Sequence, residues 1–359
     1  MKSVVEAMPI GLELRGPVLT SLSDVVREQV PGPMEQRLAE IKSFLEGDLD
    51  AVNADLEALE MAKTPLHDSA RHLLELGGKR IRPMCVALAA RIGSGFGREA
   101  RDLAVAAELV HSATLLHDDV VDSGEKRRGA PTARVLYGNA ASIFAGDWLL
   151  VEALMRVRRT RLPDVLDRAL GVLAEMLEAE ALQLGRRGRA DVTMNDYMRV
   201  VNGKTASLFR WALFAGGRAG GLDDEACKTL ERFGEAMGVA FQVIDDVLDV
   251  DGDSETVGKE VLSDLKDGKV TYPLMVALEH DRDLRDALEA RLAGGANTLD
   301  GDLAARAHRA IKASGGVQKA RALAEERIER ALRDLSALPD KPATRALVSV
   351  AHAVANRRK

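Results

Sequence analysis

Two long stretches of the chain repeat apolar residues at helical spacing and run without a turn signal into aspartates. The first, LAVAAELVHSATLLHDDVVD, covers 103–122, and the second, LERFGEAMGVAFQVIDDVLDV, covers 230–250. Apolar residues three and four positions apart share one face of a helix, so each stretch predicts a long amphipathic helix. Turn signals appear only at Ser123-Gly124 and at Asp251-Gly252. Helices of this length must bury their apolar faces against one another, which constrains the chain toward helix-on-helix packing.

Composition extends the helical prediction to the whole chain. The 359 residues are 46% hydrophobic and 30% charged, which allows a large core, and only 3% are aromatic. Abundant alanine and leucine favour helices over strands. Short turn signals separate the helical runs at 77–78, 162–164, 294–297 and 338–342. Because none is long enough for a domain linker, we predict an all-α fold: a single large helical bundle at 31–359, preceded by an N-terminal extension at 1–30 of unknown role.

Charge and cysteine content exclude several classes of protein. The net charge of −6 leaves no overall basic excess to neutralise nucleic-acid phosphates. Cys85 and Cys227 cannot form a disulfide framework and match no metal-binding spacing, which indicates a reducing compartment. Residues 1–30 lack a basic start followed by an apolar segment, and no uncharged apolar run reaches about eighteen residues. We therefore expect a cytoplasmic protein without a secretory signal or a transmembrane segment.

The first long helix ends in the pattern DDVVD. Asp118 and Asp122 are four residues apart and lie on one helical face, while Asp119 points about 100° away. Two such carboxylates repel each other unless a cation lies between them, and Mg²⁺ prefers oxygen ligands that leave room for water and phosphate oxygens. Alone, the pattern is as compatible with a solvated acidic patch as with a metal site.

The second long helix repeats the pattern as DDVLD, with Asp245, Asp246 and Asp249. Carboxylates near the C-terminal end of a helix lie on the unfavourable side of its dipole unless a metal is their neighbour. Two clusters with the same spacing, each electrostatically unfavourable without a cation, indicate a shared purpose. If the two helices face each other, the clusters can hold several Mg²⁺ ions around one diphosphate.

Dense basic groups accompany the aspartates. They are GGKRIRP (77–83), KRRG (126–129), KT (204–205) and GKEVLSDLKDGK (258–269). Each group alone is typical of a solvated face. Together they supply what two diphosphates require: planar arginine forks for bidentate contact and lysines as point charges.

In their order and spacing, these motifs resemble the trans-isoprenyl diphosphate synthases over roughly residues 40–359. The matching segments are GGKRIRP, HSATLLHDDVVDSGEKRRGAPT, GDWL, Gln183, KTASLF, FQVIDDVLD and GKEVLSDLKDGKVTYP. The resemblance implies an all-α bundle around a deep central cavity, usually as a homodimer. It also implies that an allylic diphosphate, such as farnesyl diphosphate, is condensed with isopentenyl diphosphate by ionisation, condensation and elimination. Peripheral membrane contact for product release is compatible with this chemistry.

The resemblance assigns roles by position. The main ligands of three Mg²⁺ ions per active site would be Asp118, Asp122 and Asp245, with Asp119, Asp246 and Asp249 as further ligands or supports. The allylic diphosphate would be held by Arg127, Lys204, Lys259 and Lys269. Isopentenyl diphosphate would be held by Lys79, Arg82, His111 and Arg128. The catalytic polar groups near the reacting carbons would be Lys204, Thr205 and Gln242.

Product length is expected to depend on residues just before the first aspartate motif. Short-chain members of the family tend to carry an aromatic residue there, whereas Ala113 and Thr114 are small. Ideal helical geometry places Thr114 near the carboxylate face and Ala113 about 140° from it, so only the resemblance singles out Ala113. We expect a long-chain all-trans product of about C30 to C50, most like those of bacterial octaprenyl-type synthases. A bulky residue on another helix could still shorten it.

Three alternatives stay open. The first is a short-chain (geranylgeranyl or farnesyl) diphosphate synthase. A terpene cyclase shares the fold but normally carries a second metal motif of Asn/Ser/Glu type and lacks a basic cluster for a second diphosphate. A non-catalytic subunit of a heteromeric synthase typically loses the aspartates that are intact here. One departure from the family pattern is Ser263, where many relatives have glycine, and it puts the local loop geometry in question.

Overall fold

The computed structural model of the protein describes residues 33–251, 262–293 and 301–357. The predicted N-terminal extension, the turn at 294–297 and the predicted diphosphate ligand Lys259 therefore lie outside the described residues. Within the described ranges, no helix is both long enough and apolar enough to cross a bilayer.

Helices dominate both halves of the described chain. The first half contains α1 (Pro33–Glu57), α2 (Pro65–Glu75), α3 (Ile81–Ile92), α4 (Arg98–Val121), β1 (Lys126–Arg127), β2 (Ala130–Pro131), α5 (Ala133–Tyr137) and α6 (Asn139–Arg159). The second half contains α7 (Pro163–Arg186), α8 (Met194–Val200), a π-helical turn (Val201–Ala206), α9 (Ser207–Ala219), α10 (Asp224–Asp251), α11 (Ser263–Lys266), α12 (Tyr272–Leu278), α13 (Arg282–Ala293), α14 (Gly301–Ser314), α15 (Gly316–Leu335) and α16 (Pro342–Ala355). The all-α prediction is confirmed.

The two helices predicted from periodicity are both present. The stretch 103–122 lies in α4, which ends at Val121 with Asp122 as its C-cap residue, and the stretch 230–250 lies within α10. The sequence did not indicate the small antiparallel hairpin of β1 and β2, because two-residue strands show no alternation. Its turn places Arg128 and Gly129 at φ of 53° and 80°, the positive values that a tight hairpin turn requires.

Antiparallel packing of α4 and α6 brings the functional residues to one end of the bundle. At that end, the hydroxyl of Ser142 donates to the carbonyl of Leu116 at 2.9 Å. At the other end, the guanidinium of Arg156 bonds Asp102 at 3.2 Å. Asp118 therefore lies near the start of α6, far from the N-terminus of α4.

The π-helical turn packs closely against α10. A Cβ atom at Gly238 would lie 2.5 Å from the Cα atom of Ala206, so only glycine allows this approach. π-helical turns are rare in proteins, but those that do occur are often found at functional sites. Here the turn carries Lys204 and Thr205, and the close approach brings Thr205 to α10.

Candidate active site

A cavity of about 1010 Å³ lies between α4, α7, α10 and the π-helical turn. Asp118 on α4 and Asp245 on α10 both line it, so the two long helices face each other, which is the condition for a metal site shared by the two clusters. Its basic lining residues are Lys79, Arg80, Arg82, Arg127, Arg128, Lys204 and Arg357. The cavity thus joins both aspartate clusters to most of the predicted diphosphate ligands.

The first aspartate cluster is neutralised by cations from three other elements. Lys204 Nζ lies 3.5 Å from Asp118, and Lys269 Nζ lies 2.9 Å from Asp122. Arg187 also pairs with Asp122. Burial raises the pKa of Asp118 in spite of Lys204. Burial also acts to raise the pKa of Asp122, but Lys269 and its other basic neighbours outweigh it and leave that pKa below its ordinary value.

Asp119 points away from this cluster. It is 3% exposed and accepts two hydrogen bonds from the Arg127 guanidinium, from Nη2 at 2.7 Å and from Nε at 3.0 Å. Asp119 does not line the cavity, whereas Arg127 does. Of the two predicted roles for Asp119, the geometry therefore fits a support for Arg127 rather than a direct metal ligand.

Only one carboxylate of the second cluster lines the main cavity. Asp245 does so and pairs with Arg357 at 2.6 Å. Asp246 is 2% exposed and accepts hydrogen bonds from Tyr197 at 2.7 Å and from Gln242 at 2.9 Å. Burial raises the pKa of Asp246 well above its ordinary value, although these two hydrogen bonds oppose the rise. The geometry thus fits a supporting role for Asp246.

Asp249 is bound to the segment that begins α11. Its Oδ1 accepts from the amide and the hydroxyl of Ser263, at 3.0 and 2.5 Å, and its Oδ2 accepts from the amide of Asp264 at 3.2 Å. Ser263, which stands where many relatives have glycine, therefore adds one hydrogen bond to Asp249, since glycine has no hydroxyl. Asp249 holds this segment against α10.

The π-helical turn presents two polar groups to the cavity. Lys204 Nζ lies 2.5 Å from Glu180 Oε2 and 3.2 Å from Gln183 Oε1, both on α7. The hydroxyl of Thr205 donates to Gln242 Oε1 on α10 at 2.7 Å. The predicted catalytic groups Lys204, Thr205 and Gln242 are therefore brought together.

The predicted isopentenyl diphosphate ligands form a second basic group. Burial lowers the pKa of Lys79 to about 8, with Arg357 and Arg128 adding to the effect. Burial, followed by nearby arginines, also holds the pKa of His111 well below its ordinary value, so the imidazole is neutral. The buried Nε of Arg82 has no hydrogen-bond partner among the described residues. Buried cations with an unsatisfied donor indicate a site for an anion.

Arg80 differs from the other cations of its segment. Its guanidinium pairs with Glu108 and bonds Asn53 at 3.2 Å. These contacts fasten the start of α3 and give Arg80 a structural role. Gly78 lies close to Glu108 and Arg128. A Cβ atom at position 78 would lie 3.3 Å from Glu108 Oε1 and 3.2 Å from Arg128 Nη2, so glycine leaves room for these two side chains.

The carboxylates of the site fit Mg²⁺ ions that are also bound by the phosphate oxygens of a substrate. Among the residues that the structure describes, no three His, Cys, Asp or Glu side chains converge to hold a metal ion by themselves. Mg²⁺ commonly takes one or two carboxylates and fills its remaining positions with water and phosphate oxygens. Asp118, Asp122 and Asp245 are suited to that arrangement, since within the described chain each is paired with lysine or arginine side chains and with no other carboxylate-binding group.

The two predicted chain-length residues lie in different environments. Thr114 lines the cavity, and its hydroxyl donates to the carbonyl of His111 at 2.8 Å. Ala113 is fully buried and is absent from the cavity lining. The apolar lining of the cavity includes Leu115, Leu150, Leu173, Met176 and Leu177.

Sequence reasoning missed four residues of the site. Arg357 lies just beyond α16, stacks on Phe241 with its guanidinium carbon 5.1 Å from the ring centre, and pairs with Asp245. Arg187, Glu180 and Tyr197 contact Asp122, Lys204 and Asp246, respectively. The basic runs GRRGR (185–189) and RRK (357–359) were signals for the two arginines. Nothing in the sequence singled out Glu180 or Tyr197.

Comparison with known proteins agrees with this geometry. The sequence model of the polyprenyl synthetase family matches residues 63–306. Octaprenyl diphosphate synthase of Escherichia coli is 37% identical over 329 residues, covering 89% of this chain and 99% of the relative. Heptaprenyl diphosphate synthase component 2 of Geobacillus stearothermophilus is 36% identical over 304 residues, covering 84% and 93%. The solved structure of a decaprenyl diphosphate synthase from Rhodobacter capsulatus superposes with a TM-score of 0.83 at 34% identity, covering 89% of this chain and 99% of that one. The chain therefore belongs to the polyprenyl synthetase family of prenyltransferases.

Proposed function

We propose that the protein condenses an allylic diphosphate with isopentenyl diphosphate and repeats the step to a long all-trans product. One observation carries the proposal: Asp118 and Asp245 line the same cavity as two separate basic groups, one around Lys204 and one around Lys79. Two diphosphates require two such groups, and a single-substrate terpene cyclase requires one.

Three Mg²⁺ ions would be held by Asp118, Asp122 and Asp245. When bound, they stabilise the negative charge that develops on the departing diphosphate. Lys204 and Lys269 now neutralise the carboxylates of the first cluster. If those carboxylates hold Mg²⁺, both ammonium groups would be available to the allylic diphosphate. Arg127 would contribute from the orientation that Asp119 fixes, and Lys259 stays a prediction from the resemblance.

Isopentenyl diphosphate would lie against Lys79, Arg82, His111 and Arg128. The neutral His111 donates one ring hydrogen, and the arginines supply charge and bidentate geometry. In the reaction, the allylic C–O bond breaks, and its electron pair leaves with the diphosphate. The isopentenyl double bond then forms the new C–C bond, and a proton passes to the released diphosphate. The apolar wall excludes water, which would otherwise capture the cation.

A long product is supported by the small side chain of Thr114 on the cavity wall and by the names of the relatives. The test is incubation with farnesyl diphosphate, isopentenyl diphosphate and Mg²⁺, followed by sizing of the dephosphorylated products. We expect products of about C30 to C50, and a C20 product would contradict the long-chain proposal. Thr114→Phe should shorten the product because Thr114 lines the cavity. Ala113→Phe should chiefly lower the melting temperature, because Ala113 is fully buried and a much larger side chain would overpack the core there.

We also propose a homodimer built on α6 and α7. In the single chain these helices expose large apolar side chains: Phe144, Val151 and Met155 on α6 and Leu170, Leu177 and Leu184 on α7. The three leucines are spaced by seven residues, so they form one stripe. Sedimentation should give a dimer for the native chain and a monomer for Leu177→Glu. A monomeric native chain would contradict the proposal.

A second candidate is one component of a heteromeric synthase, because one relative is named component 2 of a heptaprenyl diphosphate synthase. Activity of the purified chain by itself decides between the two candidates. The intact aspartates support independent activity. Two buried free cysteines support a reducing compartment, and we propose the cytoplasm.

Peripheral contact with an anionic membrane is the route that we propose for release of a long product. Arg98, Arg158, Arg159 and Arg161 line a surface groove at the end of α4 opposite Asp118, together with Glu99 and Asp102. All four arginines are exposed, and among the described residues only Arg159 forms an ion pair with a carboxylate of the groove. Anionic vesicles should sediment the native chain but not the triple variant Arg158→Ala, Arg159→Ala, Arg161→Ala. Equal binding to neutral vesicles would contradict this route.

A further inference from the structure

A buried ion pair lies beside the second basic group. Arg80, at the start of α3, is 8% exposed, and Glu108 on α4 is 3% exposed. The Arg80 guanidinium pairs with Glu108, and its Nε donates to Asn53 Oδ1 on α1 at 3.2 Å. Both members of the pair line the cavity, although together they offer no net charge to an anion. Any contribution of the pair to diphosphate binding must therefore come from its effect on neighbouring residues.

The backbone of Arg80 is strained. Its φ of 45° and ψ of 31° lie in the left-handed region, which is unfavourable for a residue with a Cβ atom. Glycine adopts this region without that cost, as Gly77 does in the same segment at a φ of 69°. Strain of this kind persists where surrounding contacts fix it, and it is concentrated at functional sites. The arginine at position 80 therefore indicates a purpose for its side chain.

Glu108 lies close to two of the predicted isopentenyl diphosphate ligands. Its Oε1 and Arg128 Nη2 lie 3.3 and 3.2 Å from one point, the position that a Cβ atom on Gly78 would take. Within the described part of the chain, however, the ion pair of Glu108 is with Arg80 alone. Burial lowers the pKa of Arg82 and that of Arg128, and the charge of Glu108 is the largest opposing influence on each. Glu108 thus attracts both guanidinium groups without binding either.

A carboxylate that bound Arg82 or Arg128 would compete with a diphosphate, because both anions accept hydrogen bonds from the same guanidinium donors. Arg80 prevents this competition, since its own guanidinium occupies Glu108 and Asn53 holds that guanidinium in place. In agreement, the buried Nε of Arg82 has no hydrogen-bond partner in the described ranges.

We propose that Arg80 is a positioning residue of the isopentenyl diphosphate site: it occupies Glu108, so that Arg82 and Arg128 stay free for the diphosphate. The inference rests on the proposed function and adds Arg80 and Glu108 to it. Arg80 acts through these neighbours rather than on the substrate, since its guanidinium is already bound by two protein groups.

The test measures binding of isopentenyl diphosphate by calorimetry without an allylic substrate, so that no turnover occurs. In Arg80→Gly the backbone can keep its left-handed conformation, and Glu108 becomes free to bind the other arginines. Affinity for isopentenyl diphosphate should fall about tenfold, which corresponds to the loss of one charge-assisted contact. An unreactive allylic thiolodiphosphate, measured with Mg²⁺, should bind within about twofold of its native affinity, because its predicted ligands belong to the other basic group.

The double variant Arg80→Gly, Glu108→Gln separates this role from a direct one. It removes the competing carboxylate, so the affinity for isopentenyl diphosphate should return to within about threefold of the native value. A double variant as weak as Arg80→Gly would show that the arginine acts by its own charge or shape and would overturn the proposal. Unchanged affinity in Arg80→Gly would overturn it as well, as would equal losses for both ligands.

Asp48→Asn is the matched control for a loss of stability. Asp48 on α1 is 7% exposed and accepts a hydrogen bond from Arg91 on α3 at 2.7 Å, and neither residue lines the cavity. This variant should lower the melting temperature and leave both affinities within about twofold. A loss of isopentenyl diphosphate affinity equal to that in Arg80→Gly would show a merely structural role and contradict the proposal. If the native chain itself fails to bind isopentenyl diphosphate, the proposed function fails instead.

Discussion

The two aspartate clusters share one sequence pattern but differ in what their carboxylates contact. In the first, Asp118 and Asp122 pair with lysine and arginine side chains from three other segments of the chain. In the second, Asp245 alone lines the cavity, while Asp246 and Asp249 are bound to Tyr197 and Ser263. Equal spacing therefore does not imply equal roles.

The difference arises from where each helix ends. α4 ends at Val121 with Asp122 as its C-cap residue, so Asp122 lies at the helix end and Asp118 one turn before it, beside the cavity. α10 continues to Asp251, and the segment at Ser263 packs back onto Asp249. We therefore propose two purposes for the second cluster: Asp245 would hold the metal, and Asp246 and Asp249 would support the structure around it.

The largest expected effect is that of Asp118→Ala. Loss of a main Mg²⁺ ligand should lower kcat by at least about 10³-fold, because the departing diphosphate loses its charge stabilisation. The measurement is isopentenyl incorporation at saturating Mg²⁺, with circular dichroism to verify an unchanged helical fold. Near-normal activity of a folded variant would remove the first cluster from the mechanism.

A comparison of Asp245→Ala with Asp249→Ala separates the two purposes of the second cluster. Asp245→Ala should lower kcat about 10²-fold or more and leave the melting temperature nearly unchanged. Asp249→Ala should lower the melting temperature, because three hydrogen bonds to the start of α11 are lost. Its kcat should fall less than that of Asp245→Ala. Similar kinetic losses without any change in melting temperature would contradict the unequal roles.

Lys79 provides a pH test of the second basic group. Its folded pKa of about 8 lies below the ordinary value of 10.5, so its ammonium is lost as the pH rises through about 8. KM for isopentenyl diphosphate should therefore rise above pH 8 while KM for the allylic substrate changes less. In Lys79→Arg the guanidinium stays charged, and the rise should disappear. If KM for isopentenyl diphosphate still rises above pH 8 in this variant, a group other than Lys79 causes the rise.

Ser263→Gly should have the smallest effect. It removes one hydrogen bond to Asp249 and restores the residue that is common among relatives. We expect a loss of about 1 kcal/mol in the free energy of unfolding, measured by denaturant titration, with kcat within twofold. A large fall in kcat would show that Asp249 acts in catalysis rather than in holding the segment.

Periodicity and motif order predicted the fold class and both long helices, and they gave convergence of the aspartates only as a condition for a shared metal site. They did not predict the partners of each carboxylate, because Asp119 and Asp246 are distinguished from their neighbours only by burial. Tyr197 is 49 residues from Asp246 in sequence, and no local pattern joins them. Contacts between distant side chains depend on how the helices pack, which a single sequence does not display.

The most direct test is the activity of the purified full-length chain, without any partner, on farnesyl diphosphate and labelled isopentenyl diphosphate. With Mg²⁺ we expect multiple rounds of isopentenyl incorporation, and with the metal chelated we expect none. Absence of incorporation in the presence of Mg²⁺, in a preparation with intact helical structure, would contradict the claim that the two clusters complete a catalytic site in this chain.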